Sequence, residues 1–185
     1  MTRALIVIDV QNEYFEGALP ISDPPPETSL ANVGRAMDAA TAAGVPVIVV
    51  RHGNTDPEAE LFRTGSHTWK LHADVERRAR DHLIEKHLPG SFTGTPLEEI
   101  LADAGVDTVA ITGYMTHMCV DTTSRQAAHR GLAVEILNDA TGTLNLENSG
   151  GTATGEELHR ATLVAQGQFF ADVVTTDEWL GRLGG

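Results

Sequence analysis

The stretch ALIVID, residues 4–9, runs apolar without a break and stops on a carboxylate. A strand with one wet face alternates apolar and polar side chains. An unbroken run of branched residues is expected instead of a strand covered on both faces. Runs of the same kind recur at VPVIVV (45–50) and DTVAITG (107–113), with weaker ones at HLIEK (82–86), AVEIL (133–137) and ADVVTT (171–176). Helical patterns separate them. One carries Leu30, Val33 and Met37 at helical spacing and stops at Gly44; others span TPLEEILADAG (95–105), 118–130 and 154–167. Strands that alternate with helices imply a parallel sheet with right-handed crossovers and helices on both faces. The sequence thus predicts one doubly wound α/β domain over residues 1–185, with a sheet of about six strands. It contains no internal repeat, low-complexity tract or linker. Residues 51–70, RHGNTDPEAELFRTGSHTWK, have turn formers and no sustained period, and read as a long loop of the sort that often covers a binding site.

Bulk composition excludes several classes. The net charge is −13, from 26 acidic against 13 basic residues, which argues against nucleic-acid binding because phosphate contacts need Lys and Arg. No run approaches the roughly 20 apolar residues of a membrane span. The start MTRALIVIDVQ is broken by Asp9 too early for a secretory signal, and a single cysteine forms no internal disulfide. A cytoplasmic protein with a small-molecule substrate is the expectation.

In such sheets ligands bind beyond the carboxyl ends of the strands, at the switch in strand order. The first strand ends in Asp9, the second in Arg51 and His52, the third in Lys86, and the fourth leads through Gly113 to Cys119. In the common order 3-2-1-4-5-6, Asp9 and Cys119 face each other across the switch point, with Lys86 beside them. A carboxylate, a cation and a thiol make a chemical unit: the acid takes the thiol proton and later gives it to a leaving group. A cysteine at a helix start beside a lysine is expected to be accessible and of low pKa. Backbone N–H groups between Gly113 and Cys119 suit an oxyanion. On composition alone, Cys119 reads equally as a small buried hydrophobe and Lys86 as a solvated strand end. Asp9 is harder to read so, since a carboxylate ending an apolar strand is costly unless exposed or paired.

LIVIDVQNEYF, EKHLPGSFTGTPLEEIL and ITGYMTHMCVDTTSRQAAHRGLAVEILNDATGT together resemble the isochorismatase-like cysteine hydrolases, in motif order and spacing, over nearly the whole chain. The resemblance implies a catalytic triad of Asp9, Lys86 and Cys119. It also implies a cis peptide between Tyr114 and Met115, which would aim the Met115 N–H, with that of Cys119, at the oxyanion. Nicotinamidases of the family hold a metal with an Asp-x-His pair. Here His52 stands without that acid, Val50 taking its place, and His67 and His72 read as loop or surface residues, so neither metal nor cofactor is expected. Isochorismate-cleaving members can work without a cysteine. Cys119 therefore favours hydrolysis of a C–N bond, in an amide, carbamoyl group or lactam, through a thioester.

Gln11, Phe15, His52, Trp69 and Tyr114 are candidate pocket residues because they neighbour these strand ends or lie in the long loop; for Phe15 and Trp69 core packing is an equal reading. His117 either lines the pocket or caps the helix. Two alternatives stay open: vinyl ether hydrolysis, and a noncatalytic redox or binding protein on the same fold. The resemblance implies a homodimer or homotetramer. The acid excess, with Glu13, Glu16 and Asp121 close to the triad in sequence, suggests a cationic substrate such as a streptothricin lactam, which some relatives open.

Overall fold

The computed structural model describes residues 1–184. The helices are α1 (Pro26–Ala42), α2 (Ala73–Glu76), α3 (Leu97–Asp103), α4 (Asp121–His129), α5 (Gly155–Phe169) and α6 (Thr176–Leu183). The strands are β1 (Arg3–Ile8), β2 (Val47–His52), β3 (His82–Lys86), β4 (Thr108–Tyr114), β5 (Ala133–Gly142), β6 (Leu146–Asn148), β7 (Gly151–Ala153) and β8 (Asp172–Val174). Six of them form one sheet in the order β3-β2-β1-β4-β5-β8, and every pairing in it is parallel. The chain order reverses between β1 and β4, so the crevice at their carboxyl ends is the switch point.

Alternation along β1 explains the layers. Leu5 and Val7 pack with Val33 and Met37 of α1, while Ile6 and Ile8 pack with Leu97 and Leu101 of α3 and Ala127 of α4. Each of these Leu, Ile, Val and Met side chains contributes about 1.5–3 kcal/mol when fully buried. Both faces of the sheet are therefore dry, as the unbroken run at 4–9 requires.

Three features differ from the sequence reading. β5 continues to Gly142, with its register against β4 shifted between Ile111 and Gly113. α6 was not expected; Thr175 and Glu178 form a capping box at its start, and the fully buried Trp179 donates its indole N–H to Glu135. β6 and β7 form a small antiparallel hairpin within a segment that carried no strand pattern.

Two backbone details set the switch point. Asp9 has φ 52, a left-handed conformation that Asp tolerates better than most residues and that turns the chain sharply off β1. Gly113 has φ 105, and a Cβ there would lie 2.0 Å from the carbonyl oxygen of Ile8. β1 and β4 approach each other so closely at this point that only glycine fits.

Candidate active site

Asp9, Lys86 and Cys119 meet at the switch point. Lys86 Nζ lies 2.7 Å from Asp9 Oδ2, 3.3 Å from Cys119 Sγ and 3.3 Å from His52 Nδ1. Of the three N–H groups of the ammonium, one is directed at Cys119 Sγ and one at His52 Nδ1. The Asp9 contact is an ion pair whose approach lies off the hydrogen-bond direction, and Asp9 Oδ1 is buried with no hydrogen-bond partner. The elements fix this geometry directly. Lys86 is the last residue of β3 and pairs in register with His52, the last of β2. Asp9 follows β1 immediately.

Electrostatics follow from burial. Desolvation pulls the Lys86 pKa down, but the charges and hydrogen-bonding atoms of Asp9 and Cys119 outweigh it, and the net shift is upward. Lys86 is therefore a cation. His52 is lowered, first by burial and then by the Lys86 charge, so its ring is neutral and Nδ1 accepts from Lys86.

The thiol corrects one expectation. Cys119 is only 6% exposed, and burial pushes its pKa up, with the Asp9 charge adding to the effect and Lys86 opposing it. It is not an accessible, low-pKa group. The helical segment also starts earlier than expected, as a π-helical turn (Thr116–Val120) that runs straight into α4. Cys119 is the fourth residue of that helical segment, and burial prevails over the lowering expected of a helix start. The Tyr114–Met115 peptide is cis.

The other expected residues separate into groups. His52 is at the cluster. His117, two positions before Cys119, shares a hydrogen bond of 2.7 Å with Thr143 through Nδ1, while its Nε2 is buried without a partner. Burial lowers its pKa, and it makes no capping bond to the turn. Gln11 donates both amide N–H groups to the carbonyls of His52 and Trp69 and accepts from the His52 N–H. No donor of Gln11 is left for a ligand, and the residue instead ties the loop after β2 to the turn after β1. Tyr114 is fully buried with its hydroxyl against Ser29 of α1 at 2.9 Å. Phe15 packs on Tyr114 and His72. Trp69 stacks under Arg51 at 3.6 Å. Alternation along β2 places Arg51 on the opposite face of the sheet from His52.

Two aromatics went unnoticed in the sequence. The Tyr14 ring stands 5.4 Å from Phe62 and 5.5 Å from Tyr114, and Phe62 stands 5.1 Å from His52. Burial, then the charges of Cys119 and Asp9, hold the Tyr14 phenol well above its ordinary pKa, which keeps it neutral beside the cluster. The short turn Asn12–Tyr14 after Asp9 presents this ring. Phe62 comes from the loop after β2, whose backbone is bonded to that turn through Asn12 and Glu13.

The histidines and acids of this region have other partners. His67 pairs with Glu16 at the surface, and His72 accepts from the Asp74 N–H at the start of α2. Glu13 is buried and accepts from the N–H groups of Ala18 and Phe62; Asp121 pairs with Arg125 and Gln166. None of the three acids expected to attract a cation is a free anion beside Cys119. Among the described residues no helix is long and apolar enough to cross a membrane, and no three His, Cys, Asp or Glu gather as a metal site.

Known proteins share this arrangement of chain and sheet. A solved structure, of a candidate isochorismatase from Burkholderia xenovorans LB400, is 53% identical with a TM-score of 0.98, covering 100% of this chain and 88% of that one. The uncharacterized isochorismatase family protein YddQ of Bacillus subtilis is 32% identical over 97% of this chain and 99% of its own length. Nicotinamidase 3 of Arabidopsis thaliana is 32% identical over 95% of this chain and 85% of its own. Streptothricin hydrolase of Streptomyces noursei is 32% identical over 78% of this chain, which amounts to 56% of that protein. The isochorismatase domain model matches residues 3–178, and with nearly the whole chain so covered, this protein belongs to the isochorismatase family of hydrolases.

Proposed function

We propose that the chain is a cysteine hydrolase that cleaves a C–N bond of a small molecule (an amide, carbamoyl group or lactam) through a thioester on Cys119. The observation that carries this reading is the 3.3 Å contact between Lys86 Nζ and Cys119 Sγ beside the buried, half-unpartnered carboxylate of Asp9. The nicotinamidase relative, an amidase by name, and the streptothricin hydrolase relative support it.

In this mechanism Asp9 accepts the thiol proton as Cys119 attacks the carbonyl carbon. The transfer leaves the charge count of the site unchanged: carboxylate, ammonium and thiol become carboxylic acid, ammonium and thiolate. No new charge is buried, and Lys86 faces an anion before and after. A raised thiol pKa is compatible with this, because the proton leaves only as the attack develops. The Met115 and Cys119 backbone N–H groups hold the oxyanion. Asp9 then protonates the departing amine and the C–N bond breaks; Asp9 next takes a proton from the water that attacks the thioester, the C–S bond breaks, the acid product leaves and the proton returns to Cys119 Sγ.

The test is turnover of a panel containing nicotinamide, an open-chain carbamoyl compound and a streptothricin-type lactam, read by release of ammonia or by opening of the ring, with isochorismate assayed beside it. Turnover of one member, abolished in Cys119→Ala, with a covalent acyl adduct on Cys119 seen by mass spectrometry in wild type, is expected. Wild-type turnover by Cys119→Ala, or turnover of isochorismate alone, would overturn it.

A further inference from the structure

α5 touches the Cys119 turn at both of its ends. His159 and Gln166 lie about two helical turns apart and so share one face of α5. His159 is buried, and its Nε2 meets the carbonyl oxygen of Asn138 at 3.1 Å. A carbonyl only accepts, so Nε2 carries the proton. Burial lowers the pKa of the ring and keeps it neutral, and Nδ1 is left as an acceptor for the Thr116 hydroxyl at 2.8 Å. Thr116 is the first residue of the turn. At the other end, the fully buried Gln166 donates its amide to the carbonyl and carboxylate oxygens of Asp121, the residue directly after the turn.

Nothing in the hydrolytic mechanism uses these groups, and Thr116, His159 and Gln166 are buried polar residues where α5 meets the turn. Replacing both partners of a buried hydrogen bond by apolar groups of the same shape is nearly neutral for stability. What directional bonds add is a fixed rotation and height for the turn between them. A π-helical turn bonded at one end only could slide against the sheet; bonded at both ends, it holds Sγ against Lys86.

We propose that His159 and Gln166 are positioning residues, which act through Thr116 and Asp121 to set the Cys119 turn for reaction. The proposal rests on Cys119 being the nucleophile. Thr116→Val removes the hydroxyl and keeps the shape, Thr116→Ser keeps the hydroxyl, and Gln166→Leu removes the amide. On the substrate found with the panel, Thr116→Val and Gln166→Leu are expected to lower kcat by about tenfold to a hundredfold, the scale of a small misplacement of a reacting group. KM stays within about twofold, and Thr116→Ser is near wild type. Thermal melts accompany each assay. Wild-type kcat in Thr116→Val and Gln166→Leu overturns the proposal. So does failure of either variant to fold, because the contact would then serve the fold and not the placement of the turn. Hydrolysis that survives Cys119→Ala strikes the nucleophile reading instead, so the two failures are told apart.

Discussion

Asp9 Oδ2 lies 2.7 Å from Lys86 Nζ, and water reaches neither side chain. The two residues come from different strand ends, with β2 between them in the sheet. Their meeting depends on the left-handed backbone at Asp9, which turns the carboxylate off the axis of β1. A buried ion pair of this kind is poor evidence for stability, since desolvating two charges costs about as much as their attraction returns. Its retention at the switch point is better explained by chemistry, where a base and a cation must share one dry site.

That argument makes a prediction about folding. Lys86→Met leaves the Asp9 charge buried and alone, and Asp9→Asn does the same to Lys86. Each is expected to destabilise the protein by about 3–5 kcal/mol, while the double variant recovers most of the loss. Urea titrations of all four proteins measure this. Losses that simply add in the double variant would show that the two groups are not coupled.

The raised thiol pKa has a direct kinetic consequence. Only the thiolate reacts with iodoacetamide, so Cys119 is expected to alkylate more slowly than free cysteine at neutral pH, with a rate that keeps climbing above pH 9. Lys86→Met removes the one nearby cation and slows the reaction further. The same shift has a sign in stability. Above the ordinary thiol pKa of 9.0 the unfolded chain gives up this proton before the folded one does. The contribution is fully present below that pH and is lost as pH rises toward the folded value. Wild type should therefore lose more stability than Cys119→Ala between neutral and alkaline pH. A labelling rate that plateaus near pH 7 would restore the activated thiolate that the helix-start reading suggested.

Strand identity was legible because ALIVID, VPVIVV and DTVAITG each state burial on both faces by composition alone, while the strand order rests on the common one for such folds, which is the order found. With that order assumed, Asp9, Lys86 and Cys119 fall at nearby strand ends, and the family resemblance was needed to read them as one unit. The thiol pKa was not legible: a helix start predicts a lowered value, and only the three-dimensional burial of Cys119 reverses the sign. Phe62 reaches Tyr14 and His52 from an irregular loop, and no periodicity announces such a contact. His159 and Gln166 looked like ordinary helix residues, since their partners lie about forty residues away in sequence. α6 is a different case. Thr175 and Glu178 carry the capping-box spacing openly, followed by Trp179 and Leu180, and the signal was there to be read.

Gly113 gives the sharpest structural test. Both Gly113 and Gly44 have positive φ, 105 and 70 respectively, so alanine at either position carries the cost of a left-handed backbone, about 1–2 kcal/mol. The surroundings then separate them. A Cβ at Gly44 meets nothing within 4 Å, whereas one at Gly113 lies 2.0 Å from the Ile8 carbonyl oxygen, a backbone atom that cannot swing aside. Relief at Gly113 requires β1 and β4 to part at the step that leads to Asp9 on one strand and toward Cys119 on the other. Gly44→Ala is therefore expected to stay active with a small drop in Tm. Gly113→Ala should lose several times more stability and, where it still folds, should lose hydrolysis through displacement of Asp9 from Lys86 and Cys119. Thermal melts and panel assays on the two variants decide it, and equal small losses at both sites would mean that the close approach of β1 to β4 is not needed.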